Sequence, residues 1–569
     1  MSLIDWIVLV GFLVFIVVYG VWKTQNKKDI KDYLLANKRS PWYVVTLSIM
    51  ATQASAITFL STPGQAYTDG MRFLQFYLGL PIAMIILSIT AVPIFHKLNV
   101  YTAYEYLEQR FDLKNRALGS ILFLMQRGLA AGFTIFAPAL IISVLLGWNI
   151  ELTILLQGIL VIIYTASGGT EAVNKTHILQ MIIITVGMAC AFFMIIHSLP
   201  NDISFLDAAK IAGKMGKLNA ITFDFNWKDP YTIWSGLIGG TFLALSYFGT
   251  DQSQVQRYLT GKSVAQSRIG LLANGIVKVP MQFGILFLGA MVFVFYQFAM
   301  PPLFFNPVQS AKVKSSAYSL QYKKLKNKFT EVHSQKESEL RKMLDMESSG
   351  DKSAYNNAET AVKKSTEEEN QIRDEATVLI KKANPGSDGN DTNYIFLTFV
   401  INVLPAGLIG LVLAAILSAS MSSTSAELNA LASTTVIDIY KRTIKKDATE
   451  KHYVFVSKLA TVFWGFYAIG FAFFANRLGT LIVAVNVLGS LFYGTILGIF
   501  MLAFYFKKIT GSSVFYSAII TELMVIALYL FTPIPFLWFN VIGCVVLILL
   551  AHFVNPFFNK KRSGKLIDN

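Results

Sequence analysis

Polar residues are not interleaved with apolar ones along most of this chain. Apolar residues run together in blocks, and polar residues collect between them. A helix needs about 20 apolar residues to cross ~30 Å of hydrocarbon, and blocks of that length recur from end to end. The pattern predicts about thirteen spans, beginning near Ile4, Pro41, Gln75, Leu118, Ile150, Thr176, Ile233, Ser267, Gly407, Val454, Leu481, Ser513 and Phe536. The expected fold class is an all-α polytopic membrane protein. The first block, Ile4 to Trp22, lacks a basic leading region and a small-residue cleavage site, and lysines follow it, so it reads as a retained helix with its start outside.

One stretch departs from this pattern. From about Lys312 to Lys382 the sequence turns polar with charges of both signs, while Leu320, Tyr322, Leu325, Phe329, Val332, Leu340 and Leu344 recur at helical spacing. Ser348, Ser349 and Gly350 interrupt the rhythm, and Ala358 to Ile380 resumes it. The spacing predicts an antiparallel helical hairpin standing outside the membrane. It reads as a tolerated surface insertion with no transport role, because loops accept extra length at small entropic cost; binding a partner is the alternative. Asn390-Asp391-Thr392 matches a glycosylation sequon, a pattern too short to carry weight.

Composition agrees with a membrane protein: 54% of residues are hydrophobic. The net charge of +15 is a topology signal, since short cytoplasmic loops are enriched in Lys and Arg. The basic loops alternate: Lys23, Lys27, Lys28 and Lys31; Lys97, Arg110, Lys114 and Arg116; Arg257, Lys262 and Arg268; Lys441, Arg442, Lys445 and Lys446; Lys507 and Lys508; then Lys560, Lys561, Arg562 and Lys565. This predicts a multi-pass protein of the cell inner (plasma) membrane, with its N-terminus outside and its C-terminus in the cytoplasm, and no nucleic-acid partner. Cys190 and Cys544 fall inside predicted spans and suggest packing rather than a disulfide or zinc site. No His, Asp, Glu or Cys cluster has metal-ligand spacing and no phosphate-binding G-x-x-x-x-G-K-[ST] occurs, so an enzyme is not expected.

The block from Gly407 to Asp438 carries the candidate chemistry. Its middle holds Ser418, Ser420, Ser422, Ser423, Thr424 and Ser425. On a helix Ser418, Ser422, Ser425 and Asn429 share a stripe, and Ser423 stacks under Glu427. Unsatisfied hydroxyls in hydrocarbon are costly, so the cluster faces protein, water or an ion. Two readings stand: an intramembrane ion site, or small residues that let helices pack closely.

Several segments together resemble the sodium:solute symporters, the family of the sodium/glucose, iodide, multivitamin and monocarboxylate cotransporters. They are ATQASAITFLSTPGQAYTDG (Ala51 to Gly70), YTAYEYLEQRF (Tyr101 to Phe111), IYTASGGTEAV (Ile163 to Val173), SYFGTDQSQVQRYLTGKS (Ser246 to Ser263) and SASMSSTSAELNALASTTVIDIYK (Ser418 to Lys441). The likeness runs from about residue 4 to 300 and from 395 to 557. It implies an inverted-repeat core of 5+5 helices with extra N- and C-terminal helices, each repeat opening on a broken helix. The repeats would be Pro41 to His197 and Ile233 to Phe504. The chain then divides into residues 1–40, an N-terminal helix and loop; 41–304, the first repeat and start of the second; 305–393, the polar insertion; 394–510, the remainder of the second repeat; and 511–569, the C-terminal helices and basic tail.

The resemblance further implies a Na⁺ site made by the carbonyls of Ala51, Ala54 and Ala419 and the hydroxyls of Ser422 and Ser423, hard oxygen donors that suit a hard cation. A solute would meet Gln53 and Thr58 in the first core helix, Tyr247 and Phe248 in the sixth, and Asn486 in the tenth, with Tyr247 as an inner gate. Arg127, inside an apolar run, either receives an anionic solute or snorkels towards the cytoplasmic surface, and snorkelling is preferred. Glu427 reads as a packing or gating contact. Where family members with a second Na⁺ place an aspartate, this chain has His177, read as an interfacial histidine near the cytoplasmic end, with proton exchange as the alternative. Tyr77 and Leu80 stand where galactose symporters carry a carboxylate and a hydroxyl, so galactose-type recognition is not expected.

The implied activity is Na⁺-coupled import of a small organic solute by alternating access in a lipid bilayer. The AYEYLEQRF segment leans towards an organic anion, monocarboxylate or vitamin-like; a sugar or sialic acid is the alternative. A transporter-like sensor acting through a separate partner, or a channel, are the rival classes.

Overall fold

The computed structural model describes residues 1–22, 34–349, 351–387, 389–475 and 480–563. Lys23, Lys27, Lys28, Lys31, Gly350 and Lys565 lie outside them. Among the described residues the chain is helical, with a single isolated bridge between Ser40 and Gly261. Nine helices among the described residues are long and apolar enough to cross a membrane, and four shorter apolar helices accompany them.

The helices in chain order are α1 (Leu3–Trp22), α2 (Trp42–Gln53), α3 (Ala56–Asp69), α4 (Leu80–Ile89), α5 (Ala91–Leu98), α6 (Tyr104–Arg110), α7 (Leu113–Leu146), α8 (Ile150–His197), α9 (Phe205–Lys214), α10 (Gly240–Gly249), α11 (Gln252–Leu259), α12 (Val264–Phe298), α13 (Pro307–Lys314), α14 (Ser319–Ser349), α15 (Lys352–Ala383), α16 (Thr392–Val403), α17 (Leu408–Thr434), α18 (Glu450–Ala475), α19 (Leu481–Tyr505), α20 (Gly511–Phe531) and α21 (Phe536–Ser563).

Three features differ from the hydropathy reading. The span expected from Pro41 is interrupted: α2 stops at Ala54, whose φ of −85° and ψ of 79° are not helical, and α3 starts after Ser55. The spans expected at Ile150 and Thr176 are joined in one hydrogen-bonded helix, with apolar stretches Ile150–Ala166 and Val173–His197. The short apolar helix Thr392–Val403 was not expected at all. At 12 residues it is about 18 Å long, below the length of a full span.

α17 runs through the centre, with 89% of its most apolar window buried. Its N-terminus is capped from another helix, because Asp5 of α1 accepts the N–H groups of Gly407 (2.7 Å) and Gly410 (3.1 Å). This satisfies two of the donors that a helix start leaves free. Close contacts fix α3: a Cβ on Gly64 would lie 2.1 Å from the Thr392 carbonyl oxygen, and one on Gly289 of α12 would lie 2.3 Å from that of Pro63. Only glycine permits such backbone approach.

In the polar segment α14 and α15 form a helical hairpin. α14 and α15 pack along their lengths, and Asp351 starts α15 by accepting the N–H groups of Ser353 and Ala354 at 3.0 Å. Between them His333 Nδ1 lies 2.8 Å from Glu369 Oε1, and Lys336 bonds to the other carboxylate oxygen. The hairpin is fastened to the core by Arg341 to Asp202 and by Arg373 to Asp391 (2.9 Å).

Candidate functional site

The break at Ala54 exposes backbone that a continuous helix would consume. Ser55 N–H turns to Gln53 O (3.1 Å), and the Ala51 carbonyl receives the Ser422 hydroxyl of α17 at 2.9 Å. One residue on, the Ser423 hydroxyl donates to Ala419 O and Ser420 O of its own helix, both at 3.1 Å. Four of the five groups expected around Na⁺ thus meet in two contact pairs, Ala51 with Ser422 and Ala419 with Ser423, and Ala54 sits at the break. All five residues are buried. The donor set is neutral and entirely oxygen, which fits a hard monovalent cation and leaves no carboxylate stranded.

Beside it lies a cavity of about 100 Å³ whose wall includes Gln53, Thr58, Arg127, Tyr247, Ser423, Glu427 and Asn486. Of the expected solute residues, all but Phe248 line it. Phe248 is packed behind Tyr247 with ring centroids 4.9 Å apart, so its assignment to the cavity is corrected. Ser423 belongs to both neighbourhoods.

Arg127 does not snorkel. It is 4% exposed and held by two carboxylates: Nη1 donates to Glu427 Oε1 at 3.0 Å, and Nη2 to Asp251 Oδ2. Its guanidinium carbon stands 5.3 Å from the Tyr247 ring centroid. Tyr493 donates to Asp251 Oδ2 at 3.0 Å, and Thr134 to Glu427 Oε2 at 3.0 Å. Asp251 performs a second task, since its Oδ1 accepts the Ser253 N–H (2.9 Å) and hydroxyl (2.7 Å) at the start of α11. Satisfied on both oxygens, a buried carboxylate becomes tolerable.

His177 is not interfacial. It is fully buried, with Nδ1 3.0 Å from Ser48 Oγ of α2 and Nε2 3.4 Å from the Ser422 carbonyl of α17. It bridges the two helices that carry the expected Na⁺ ligands.

Asp251, Gln126 and Tyr493 were missed as site residues. Asp251 carried a readable signal, an acid between the apolar run ending at Gly249 and the polar Gln252-Ser253-Gln254, the pattern of a helix N-cap. Lys278 was missed too. It is fully buried on α12, its ammonium lies 5.7 Å from the Tyr77 ring centroid, and it has no hydrogen-bond partner among the described residues.

A buried central helix, a neighbouring helix interrupted at Ala54 and buried oxygen donors at that interruption fit an ion-coupled secondary carrier. The sodium:solute symporter family model matches residues 33–331 and 375–521, and the chain belongs to that family. It is a sodium-coupled solute symporter and not an enzyme. The unmatched interval falls within the hairpin.

The chain is 26% identical to the sodium/sialic acid symporter NanT of Aliivibrio fischeri, over 99% of this chain and 95% of that protein. It is 32% identical to the human sodium-coupled monocarboxylate transporter 1, over 48% of this chain and 44% of that one. It also matches the solved structure of a Na⁺-coupled sialic acid symporter in a substrate-bound outward-open state, with a TM-score of 0.74 and 24% identity over 98% of both chains. The inverted-repeat fold follows from that match.

Proposed function

We propose that this symporter imports an acidic, hydroxyl-bearing sugar of the sialic-acid class, in place of the simple monocarboxylate or vitamin-like anion that the sequence favoured. One observation carries the choice. The amide oxygens of Gln53 and Gln126 are buried at the cavity and have no hydrogen-bond partner among the described residues. A carboxylate group brings acceptors only and the single hydroxyl of lactate can donate to just one of them, whereas the several hydroxyls of an acidic sugar can donate to both. Arg127 is already paired with Glu427 and Asp251, so its charge is offset before a solute arrives. The full-length likeness to sialic acid symporters, against half-length likeness to monocarboxylate carriers, favours the same reading.

In the proposed cycle Na⁺ is held by the carbonyls of Ala51, Ala54 and Ala419 and the hydroxyls of Ser422 and Ser423. The solute lies against Gln53, Thr58, Tyr247 and Asn486, with Tyr247 between it and the inner exit. A cavity of about 100 Å³ is smaller than the ~300 Å³ lower limit of ordinary ligand pockets, so the wall must open to load. A tenfold Na⁺ gradient supplies about 1.4 kcal/mol, and an inward charge gains about 2.3 kcal/mol per 100 mV. One Na⁺ with a monoanion moves no net charge and draws on the first term alone. The N-terminus outside and C-terminus in the cytoplasm complete the reading.

Purified protein in liposomes, given radiolabelled sialic acid with Na⁺ or choline outside, tests it. Na⁺-dependent accumulation competed by sialic acid and not by lactate or biotin is expected. Competition by lactate or biotin with no effect of sialic acid would return the assignment to the organic anions.

A further inference from the structure

We propose that a small monovalent anion of the chloride class binds at the guanidinium of Arg257 and strengthens Na⁺ binding at the neighbouring cage, an inference that rests on the Na⁺ reading above. Arg257 of α11 is fully buried. Its Nη2 donates to Gln256 Oε1 at 2.8 Å and its Nη1 to Asn174 Oδ1 at 3.3 Å. Both acceptors are neutral amides. Among the described residues Nε has no partner, and neither does Asn174 Nδ2 on the amide whose oxygen faces the guanidinium.

No carboxylate pairs with Arg257 among the described residues. Asp251 and Glu427 are spent on Arg127, and Asp438 is held by Arg116 at 2.7 Å. A buried, uncompensated guanidinium is costly, and neutral hydrogen bonds do not cancel its charge. The unpaired Nε, with no acceptor aimed at it among the described residues, is the donor left for an anion. Because the amides occupy both Nη atoms, the fork that would grip a carboxylate or phosphate is half filled, and a single-atom anion suits what remains.

The cluster is connected to the Na⁺ cage by short contacts. Ser48 donates to Asn174 Oδ1 at 2.8 Å, His177 bridges Ser48 and the Ser422 carbonyl, and Ser422 donates to Ala51 O. The cage ligands are neutral, so bound Na⁺ would face Arg257 as a second cation with nothing between them to offset the repulsion. Unit charges about 10 Å apart in a protein interior interact strongly enough to change an affinity about tenfold.

The test uses the full-length protein in nanodiscs, reading the Na⁺ dependence of the unfolding temperature in chloride and in gluconate, with choline holding ionic strength. The Na⁺ concentration for half-maximal stabilisation should be about tenfold higher in gluconate. Asn174→Asp, which sets a carboxylate beside Arg257, should bring the gluconate value down to the chloride value. Arg257→Gln should abolish the anion difference; should it fail to fold, the wild-type and Asn174→Asp arms still decide. Equal wild-type Na⁺ dependence in the two anions, or an anion effect that survives Asn174→Asp, overturns the proposal. Absence of any Na⁺ stabilisation in either anion instead removes the Na⁺ reading beneath it.

Discussion

Ser423→Ala separates ion binding from folding, because the Ser423 hydroxyl makes only bonds that the helix does not need. Its two acceptors, Ala419 O and Ser420 O, belong to α17 itself, and such back-bonds compete with the helix rather than build it. Alanine is also the better helix former, by about 0.5 kcal/mol. The folded protein should therefore unfold within a few degrees of wild type. Sodium binding should suffer far more, since a contact to a charged group contributes about 1.5–3 kcal/mol, or about 10- to 150-fold in affinity. Ser422→Ala is the informative partner: its hydroxyl ties α17 to Ala51 of α2, so that change should weaken Na⁺ binding and lower the unfolding temperature together. The assay is solute uptake into liposomes as a function of external Na⁺, beside a thermal melt of the same preparation. A Ser423→Ala half-saturation within twofold of wild type would refute the cage.

Three further outcomes are expected. Asp251→Asn keeps the helix cap, because Asn caps as well as Asp, yet removes a charge from Arg127; breaking a buried pair costs about 3–5 kcal/mol, so a clear drop in unfolding temperature with loss of uptake is expected, and a wild-type melt and uptake would contradict the network. Tyr247→Ala should speed efflux of solute from preloaded vesicles, and unaltered efflux would count against the gate. In the hairpin, burial opposes the charge of Glu369, but His333 and Lys336 outweigh it and hold the carboxyl below its ordinary value of 4.5. That stabilisation is complete above the ordinary value and is lost as pH falls through the depressed one, so proteolysis between α14 and α15 should accelerate on acidification below pH 4.5 and Glu369→Gln should flatten the dependence; a wild-type rate that ignores acid would disprove it.

Helices and hairpin were legible because burial in lipid or against a partner helix repeats locally, at spacings a single segment displays. The hydroxyl cluster of α17 was legible for the same reason: Ser418 to Ser425 are neighbours in sequence. What a residue pairs with was not. Arg127 lies 300 positions from Glu427 and 124 from Asp251, so an isolated cation in an apolar run invited a snorkelling reading that the fold removes. His177 finds Ser48 and Ser422 at separations of 129 and 245, and nothing within its own segment indicates either. The helix Thr392–Val403 escaped for a different reason, since it is too short to register as a span.

Both parts of the site converge on α17. Its residues 419 to 423 meet α2 at the expected cage, and Glu427, one turn further, meets Arg127 of α7. On the proposed reading, Na⁺ drawn between α2 and α17 acts on the same element that positions Glu427, and Asp251 links Arg127 to the start of α11. The charged side chains that line the cavity, Arg127 and Glu427, pair with each other and sum to zero. An acidic solute thus gains no net attraction from the protein, and the bound cation is the surplus positive charge that receives it. Na⁺ should bind first, and solute affinity measured by calorimetry should fall by at least about tenfold when choline replaces Na⁺. Equal solute affinity in choline and in Na⁺ would show that the two sites are not coupled through α17.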